Sequence, residues 1–423
     1  MFPSRLIGEI EAPPSKSYTH RAYAAALLSH GATRIANPLR SRDTDATLRS
    51  CILLGAETRD MDGGVILEGG DLKTPEDVID VENSGTTLRL FTAISSLIPR
   101  GYAILTGDES IRRRPMKPLL DALKDLGAEC WSSKLDGTAP IIVRGGGLRG
   151  GETRISGEVS SQFISALLYA STRSRLGARI IVEGDPVSKP YIDASIEVLK
   201  RFGFKIRRDG YSVFEVDGRQ SGRPCDFRIP GDFSSAAFFL AGACLTEGDV
   251  RVRGLDPRLP QADSAIIDFL SRFGGCVEYS GDVVRVWGAG VECGGELDLR
   301  DCPDLLPLIA VLAARSRDRV IIRGVGHARF KESDRLDSMA VELRKLGVEV
   351  KVLDDGLEVR GAGRLRGGCV LDAHGDHRVF MALTILAAST SEGCIIEGAE
   401  TIEISYPQFL EHARILGLRF EVI

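Results

Sequence analysis

The sequence predicts an α/β protein built from six copies of one repeating unit. Six helical segments each end in a bulky residue followed by glycine, and a β-enriched run follows each glycine. Glycine suits the left-handed position that closes a helix. Successive glycines lie 70 to 76 residues apart, about one sixth of the 423-residue chain, at Gly55, Gly127, Gly203, Gly274, Gly347 and Gly417.

A second set of helices alternates with the first and is apolar all round. A helix without a polar face is normally buried, whereas the glycine-terminated set carries a charged flank, such as Asp121 and Lys124 beside Leu119 and Leu123. Each repeat is therefore predicted to hold an inner and an outer helix. The predicted inner helices span residues 22–29, 88–98, 163–173, 236–245, 305–314 and 379–388.

Short β-enriched runs complete each repeat as a βαβαββ unit. At about 100 to 200 residues per domain, the length predicts two to four domains. The β-enriched runs that predict these strands lie at 103–106, 179–182, 250–252, 320–322 and 395–396.

Composition excludes several classes of protein. The chain is 43% hydrophobic and 27% charged, as in globular proteins, and its longest apolar stretches reach about half the roughly 20 residues that span a bilayer. Arg5 and two acids occupy the place of a signal core, so a cytoplasmic protein is expected. A net charge of −5 argues against broad nucleic-acid binding. Nine scattered cysteines without a Cys-x-x-Cys pair indicate neither a disulfide framework nor a zinc site.

Polar clusters stand immediately before the inner helices. Ser, Asn and Asp there are ordinary caps, but several helix starts can also bind a phosphate or a carboxylate together. Nearby cations favour the second interpretation, since a cap needs no arginine, and they include Lys16, Arg21, Arg89 and Arg378. The clusters are 15–17, 83–86, 160–162, Asp232 with 234–235, Asp304 and 376–378.

The segment 331–335, Lys-Glu-Ser-Asp-Arg, allows two interpretations. Lys331 and Glu332 are a candidate acid and base pair if neighbours move their pKa values toward neutrality. Alternatively the segment is a charged turn before a helix that starts at about Ser338, and spacing alone does not decide. A metal site from Asp372 and its neighbours His374 and Asp376 is disfavoured, because the segment lacks the usual features of catalytic metal sites.

Seven motifs in this order resemble those of the 5-enolpyruvylshikimate-3-phosphate synthase family, along the whole chain. They are Pro14-Ser15-Lys16-Ser17 with Arg21, Asn83-Ser84-Gly85-Thr86 with Arg89, Leu105-Thr106-Gly107 leading to Arg114-Pro115, Ser160-Ser161-Gln162, Ser188-Lys189-Pro190-Tyr191, Lys331-Glu332 with Arg335, and Asp376-His377-Arg378.

The resemblance implies a fold, a reaction and partners. The fold would be a two-domain inside-out α/β barrel of six βαβαββ repeats, with domains at 13–230 and at 1–12 plus 231–423. The reaction would transfer the enolpyruvyl group of phosphoenolpyruvate to the 5-hydroxyl of shikimate 3-phosphate and release phosphate, in aromatic amino-acid biosynthesis. No metal or organic cofactor is implied, a monomer is expected, and glyphosate is expected to inhibit with altered strength.

The resemblance also implies which residues act. The shikimate-3-phosphate site would use Lys16, Ser17, Arg21, Ser160, Ser161, Gln162, Ser188, Tyr191, Asp304 and Lys331. The phosphoenolpyruvate site would use Lys16, Gly85, Arg114, Gln162, Glu332, Arg335, His377 and Arg378. In the implied addition and elimination, Asp304 would take the hydroxyl proton beside Lys331, while Glu332 and Lys16 are candidates for moving the methyl-group proton.

Three positions depart from the family pattern. Ile404 stands where many members have a lysine, His327 where an asparagine often helps to hold shikimate 3-phosphate, and Leu90 where proline is frequent. The sister transferase acting on UDP-N-acetylglucosamine is an alternative, but Ser17 and Glu109 replace its usual asparagine and reactive cysteine. A catalytically silent anion-binding scaffold is another, although the acid and base residues are all present.

Overall fold

In the computed structural model, which describes residues 1–288 and 290–423, the chain divides into two compact units. The first unit is Pro14–Ile229, and the second unit combines Met1–Pro13 with Pro230–Ile423. Within the described residues, the α-helices are α1 (Lys16–Leu27), α2 (Arg42–Leu53), α3 (Gly85–Ser95), α4 (Lys117–Asp125), α5 (Ser161–Ser171), α6 (Lys189–Arg201), α7 (Phe233–Leu245), α8 (Ile266–Arg272), α9 (Leu306–Arg315), α10 (Arg335–Lys345), α11 (His377–Ala388) and α12 (Phe409–Ile415).

Strands alternate with these helices throughout the described chain. They are β1 (Ile7–Glu11), β2 (Gly31–Ala36), β3 (Glu57–Met61), β4 (Gly64–Gly69), β5 (Ile79–Asp80), β6 (Tyr102–Thr106), β7 (Glu129–Ser132), β8 (Ile141–Arg144), β9 (Gly151–Ser156), β10 (Ala178–Glu183), β11 (Ile206–Asp209), β12 (Val213–Val216), β13 (Asp226–Arg228), β14 (Asp249–Arg253), β15 (Cys276–Ser280), β16 (Val283–Trp287), β17 (Gly295–Asp298), β18 (Arg319–Arg323), β19 (Glu349–Leu353), β20 (Gly356–Arg360), β21 (Val370–Asp372) and β22 (Ile395–Glu397).

The predicted βαβαββ repeat is confirmed. In one copy, β9, α5, β10, α6, β11 and β12 follow one another and form a sheet in the order β11-β12-β10-β9. The pair β9 and β10 is parallel, because a helix returns the chain to the same edge, whereas β12 is antiparallel to both β10 and β11. Two more sheets repeat this order, β5-β6-β8-β7 and β17-β18-β20-β19.

Two sheets obtain their first strand from a distant part of the chain. Strand β1 precedes α1 in sequence but pairs in parallel with β14, Ile7 facing Asp249. Strand β13 precedes α7 but pairs in parallel with β2, Asp226 facing Arg34. Each strand therefore takes the position that the preceding strand occupies in the other repeats, which makes the second unit discontinuous in sequence.

The sixth repeat differs from the prediction, because the described part of the chain has no strand after Gly417. Its sheet contains β21 and β22 alone among the described residues. The predicted strand fails since the backbone after Gly417 bonds to the N-terminal segment instead: Phe2 N donates to Arg419 O, and Arg419 N donates to Ser4 Oγ.

The inner helices form the core of each unit, and every residue of α7 and α11 is buried. The sheets stay separate and do not close into a barrel. Inner helices begin earlier than predicted, α1 at Lys16 and α3 at Gly85, because their first turns are polar and yet largely buried. Helix α10 likewise begins at Arg335 rather than near Ser338. Along the described chain, no helix combines the length and the apolarity that a membrane crossing requires.

Candidate active site

At the start of α1 in the first unit, a lysine is paired with a buried carboxylate. Lys16 Nζ donates to Asp43 Oδ2 of α2 at 2.9 Å, and the Asp43 side chain is 4% exposed. Burial and the positive charges of Lys16 and Arg21 hold the pKa of His20 well below its usual value. The lysine is thus the charged group that this helix start presents, and Asp43 fixes its position.

Arg21 connects α1 with α6. Its Nε donates to Ser195 Oγ at 2.8 Å, and its two terminal nitrogens donate to the carbonyl oxygens of Ser17 at 2.9 Å and Tyr191 at 3.0 Å. The guanidinium also lies 5.8 Å from the centre of the Tyr191 ring. Predicted site residues Ser17, Arg21 and Tyr191 are therefore adjacent, and the buried arginine orders the two helix starts.

Gln162 connects the beginnings of α5 and α3. Its amide Nε2 donates to Thr86 Oγ1 at 3.1 Å, and its Oε1 accepts from Arg89 at 2.5 Å. A Cβ atom on Gly85 would lie 2.6 Å from a terminal nitrogen of Arg114 and 2.7 Å from one of Arg89. Only glycine leaves room for two buried guanidinium groups over this helix start, which is a strong arrangement for binding an anion.

The family resemblance assigns Gly85 to a phosphoenolpyruvate site, so replacing Gly85 by alanine is expected to raise the KM for phosphoenolpyruvate about 10-fold or more. The new methyl group displaces the ends of Arg89 and Arg114, and a charge-assisted hydrogen bond is worth about 1.5 to 3 kcal/mol. Steady-state kinetics with each substrate varied in turn checks this. The KM for shikimate 3-phosphate is the internal control, and an unchanged KM for phosphoenolpyruvate would contradict the role of this helix start.

The remaining predicted residues of the first unit also lie at helix starts. Ser160 is the N-cap of α5, and its hydroxyl accepts from Gln162 N at 3.3 Å, while Ser161 is the first residue of that helix. Ser188 precedes α6 with a left-handed backbone, φ 57°. Hydrogen bonds along Thr47 link α1, α2 and α3, since its hydroxyl contacts His20 and Thr87 at 2.6 Å each. The helix starts are thus held by one polar network.

In the second unit, Arg335 is the centre of a buried ion cluster. The side chain is 1% exposed and contacts three carboxylates at 2.7 Å each: Asp304 Oδ1, Glu332 Oε2 and Asp376 Oδ2. Burial would lower the pKa of Arg335, but these carboxylates raise it well above its usual value. The guanidinium fixes three loops at once, which explains the early start of α10, where Asp334 caps the helix by accepting from Leu336 N.

Asp304 is the carboxylate that the predicted mechanism uses as a general base. Three cations surround it. Lys331 Nζ lies 3.3 Å from its Oδ1, and Arg378 lies 3.1 Å from its Oδ2. Burial acts to raise the pKa of Asp304, but Arg378, Lys331 and Arg335 outweigh it and hold the pKa well below the usual range. Burial lowers the pKa of Lys331, which makes its ammonium a better proton donor.

Another buried carboxylate, Glu342, orders the loop before α11. Glu342, fully buried in α10, accepts from Asp372 N at 3.0 Å and contacts His374 Nε2 at 2.8 Å. Asp376 then caps α11 by accepting from Arg378 N at 2.8 Å. His377 and Arg378 are the first two residues of the buried helix α11. Its start is held by the contacts of Glu342 to the preceding loop and by the Asp376 cap.

Asp263 lies near this cluster and was not among the predicted residues. It is 1% exposed, its Oδ2 accepts from Ser234, and its Oδ1 has no hydrogen-bond partner. Burial and the negative charge of Asp304 raise the pKa of Asp263 to about 6. The folded second unit thus takes up a proton at this carboxyl more readily than an exposed aspartate does.

Replacing Asp263 by asparagine is expected to stabilise the protein at pH 8 more than at pH 4.5. A folded pKa of about 6, above the value near 3.9 of an unfolded aspartate, makes stability fall as pH rises through this window, by up to about 3 kcal/mol. Thermal melts at both pH values check this. Asp268→Asn, at an exposed aspartate of α8, is the control, and equal shifts at both pH values would contradict the assignment.

Among the departures from the family pattern, His327 is half-buried and Ile404 is buried. Burial and Lys331 lower the pKa of His327 to about 4, so its ring is neutral at pH 7, as the asparagine it replaces would be. Ile404 is 8% exposed and lies before Tyr406, which packs against Phe409 with 5.6 Å between ring centres. The position of the absent lysine is therefore occupied by an apolar side chain at the edge of an aromatic cluster.

Sequence reasoning left four polar residues out of the predicted site. Asp376 and Arg89 were recognised only as neighbours in a polar cluster, and Asp43 lies inside an outer helix with no unusual spacing. Asp263 belongs to a short 3₁₀ turn, 262–265, and carries no sequence signal. Among residues 1–288 and 290–423, no three His, Cys, Asp or Glu side chains are placed to hold a metal ion.

Comparison with known proteins gives consistent matches along the chain. The sequence profile described as EPSP synthase (3-phosphoshikimate 1-carboxyvinyltransferase) matches residues 2–413. The 3-phosphoshikimate 1-carboxyvinyltransferase of Korarchaeum cryptofilum is 47% identical over 98% of this chain and 97% of that protein. The protein of the same name from Methanocaldococcus jannaschii is 43% identical over 99% and 97%.

Solved structures confirm the predicted α/β fold. An EPSP synthase from Acinetobacter baumannii superposes with a TM-score of 0.82 at 26% identity, covering 100% of this chain and 98% of that one. The enolpyruvyl transferase NikO from Streptomyces tendae has a TM-score of 0.79 at 19% identity, over 98% and 96%, and supports the fold alone.

Proposed function

Because the chain belongs to the EPSP synthase family, we propose that its helix starts and its buried ion cluster carry out the family's reaction with the residues described above. The protein is an enzyme that transfers the enolpyruvyl group of phosphoenolpyruvate to shikimate 3-phosphate with release of phosphate, the activity for which its relatives are named. The observation that carries the residue assignment is the three-cation surrounding of Asp304.

The first unit supplies the groups for shikimate 3-phosphate. Lys16, Ser17 and the serines 160 and 161 lie at helix starts, where backbone N–H groups and hydroxyls bind phosphate oxygens. Arg21 is already bonded to Ser17 O and Tyr191 O, so it orders these groups as well as adding charge. Gln162, Ser188 and Tyr191 complete the proposed set.

Phosphoenolpyruvate is bound by cations. In the first unit these are Lys16 and Arg114, with Arg114 held over Gly85 beside Arg89 and Gln162. In the second unit they are Arg335 and Arg378, with His377 at the same helix start as Arg378 and with Glu332 beside Arg335. Arg335 already contacts three carboxylates, so its main contribution is to fix the cluster, whereas Arg378 and Lys331 each contact Asp304.

Proton transfer follows from the same contacts. Asp304 accepts the 5-hydroxyl proton of shikimate 3-phosphate as that oxygen attacks. Its basicity rises when Arg378 and Lys331 turn to an anionic substrate, because the removal of a nearby cation raises the pKa of a carboxyl. Lys331 shares this proton, and Glu332 and Lys16 deliver and remove the proton of the phosphoenolpyruvate methylene carbon.

An assay of phosphate release tests the proposal. The purified protein is mixed with phosphoenolpyruvate and either shikimate 3-phosphate or UDP-N-acetylglucosamine, and product is identified by mass spectrometry. Phosphate release with shikimate 3-phosphate is expected, together with a product one enolpyruvyl group heavier. Product with the sugar nucleotide alone would overturn the proposal.

The proposal also covers where the protein acts, its oligomeric state, the roles of its domains and its independence of metal. We propose that the protein acts in the cytoplasm as a monomer, which sedimentation at micromolar concentration would check. We propose the domain division predicted from the sequence, 13–230 against 1–12 plus 231–423, with the first domain as the shikimate-3-phosphate side. No metal is included in the proposed mechanism, so added chelator is expected to leave the rate unchanged.

A further inference from the structure

Two cysteines lie side by side at the beginning of the smallest sheet. Strands β21 and β22 are parallel, with Val370 facing Ile395, so the preceding residues Cys369 and Cys394 are the next pair in the register. Ile395 N donates to Cys369 O at 3.1 Å, which continues the ladder to these residues. Paired residues of neighbouring strands direct their side chains to the same face of the sheet.

Both cysteines line one cavity of about 490 Å³ in the second unit. All nine cysteines of the chain are reduced in this structure. Cys369 is half-buried and accessible from the cavity, whereas Cys394 is 6% exposed. Adjacent strands bring Cα atoms to a separation within the range of about 4.4 to 6.8 Å that a disulfide accepts.

We propose that Cys369 and Cys394 form a dithiol modification site, which small peroxides oxidise to an intramolecular disulfide. The half-buried Cys369 thiolate attacks the peroxide O–O bond and becomes a sulfenic acid, and the peroxide's other oxygen leaves as water after protonation. The Cys394 sulfur then attacks the sulfenic sulfur, forming the S–S bond and releasing a second water. Two thiols and one hydrogen peroxide thus give one disulfide and two waters.

The environment assigns different roles to the two sulfurs. Burial and the neighbouring Cys369 raise the pKa of the Cys394 thiol to about 11, so it does not react with peroxide by itself but is placed to resolve a sulfenic acid next to it. The bond would also fasten the N-terminus in place, because the Met1 ammonium donates to Cys394 O at 2.9 Å.

The disulfide is expected to stabilise the second unit. It closes a loop that contains all of α11, since Cys369 and Cys394 are 25 residues apart. Closing a loop of this length is expected to raise Tm by roughly 5 to 10 °C. His377 and Arg378 also lie within this loop, after the C-terminal end of β21. The disulfide would therefore hold the strand that leads to them.

Differential alkylation of the full-length protein tests the proposal. The reduced protein is treated with a small excess of hydrogen peroxide and is then denatured in N-ethylmaleimide so that every remaining thiol is labelled, and peptides are analysed by mass spectrometry without reduction. We expect Cys369 and Cys394 to lose labelling together and to appear as one cross-linked peptide pair, 2 Da lighter than the two thiols. Tm should rise and return to its first value after reduction.

Three variants make the result specific. Cys276→Ser removes an exposed cysteine elsewhere and should leave the cross-link unchanged, whereas Cys369→Ser and Cys394→Ser should each abolish both the cross-link and the Tm shift. Oxidation of Cys369 while Cys394 stays fully labelled would overturn the proposal. A bond between Cys244 and Cys276 forming first, or a cross-link between two chains, would overturn it as well.

Discussion

Replacing Asp304 by asparagine is expected to lower kcat by about 10² to 10⁴-fold, the usual contribution of a general base. The amide keeps the shape of the side chain but cannot accept the hydroxyl proton of shikimate 3-phosphate. Pre-steady-state and steady-state phosphate release measure the effect. Since asparagine also removes a charge beside Arg335, Lys331 and Arg378, the folded fraction is measured by circular dichroism at the assay temperature.

A matched control separates catalysis from charge. Asp268→Asn removes one exposed carboxylate from the same unit and should retain the kcat of the unmodified enzyme. If the folded Asp304→Asn protein also retains near-normal kcat, Asp304 is not the base, and Lys331 or Glu332 takes its place in the mechanism. If Asp304 is the base, the fall of kcat at low pH should also be lost in the Asp304→Asn enzyme, because protonation of Asp304 removes the same proton acceptor as the substitution does.

Replacing Arg335 by methionine is expected to lower the free energy of unfolding by about 3 to 5 kcal/mol at pH 8. The change leaves Asp304, Glu332 and Asp376 in a buried region without the cation that contacts all three. Urea unfolding at pH 8 measures the effect.

An exposed arginine provides the comparison for this variant. Arg319 on β18 contacts Glu358 at 2.7 and 2.8 Å, close to the 2.7 Å of the buried cluster, but its side chain is 58% exposed. Arg319→Met should therefore cost less than about 1 kcal/mol, as exposed pairs do. Equal losses for the two variants would show that burial of Arg335 does not determine its contribution.

The repeat is the part of the fold that sequence periodicity predicts best. Helix ends at Gly127 and Gly203 recur because a left-handed residue closes each outer helix, with φ 90° and 80°. The pairing of β1 with β14 and of β13 with β2 could not be predicted from local sequence, since tertiary packing determines which strands pair. The lack of a strand after Gly417 in the described residues is a similar case, because Arg419 is hydrogen-bonded to Phe2 and Ser4 of the N-terminal segment.

The candidate site was predicted unevenly. Lysines, arginines and capping residues at helix starts were found because their types and positions recur, and the family resemblance assigned them to two substrates. Asp263 and Asp43 were missed, since a buried carboxylate in a turn or an outer helix leaves no pattern. The start of α10 was placed three residues late because Arg335 counts as polar in a periodicity argument, although it is almost fully buried.

The sequence alone determined the repeating α/β unit, the alternation of inner and outer helices and the residue types at each helix start, because these depend on local periodicity and capping. Only the tertiary structure decided which charges meet. Asp304, Arg335 and Asp376 lie on segments tens of residues apart, and Arg335 is buried and contacts both carboxylates at 2.7 Å, an arrangement that exists only after the chain has folded.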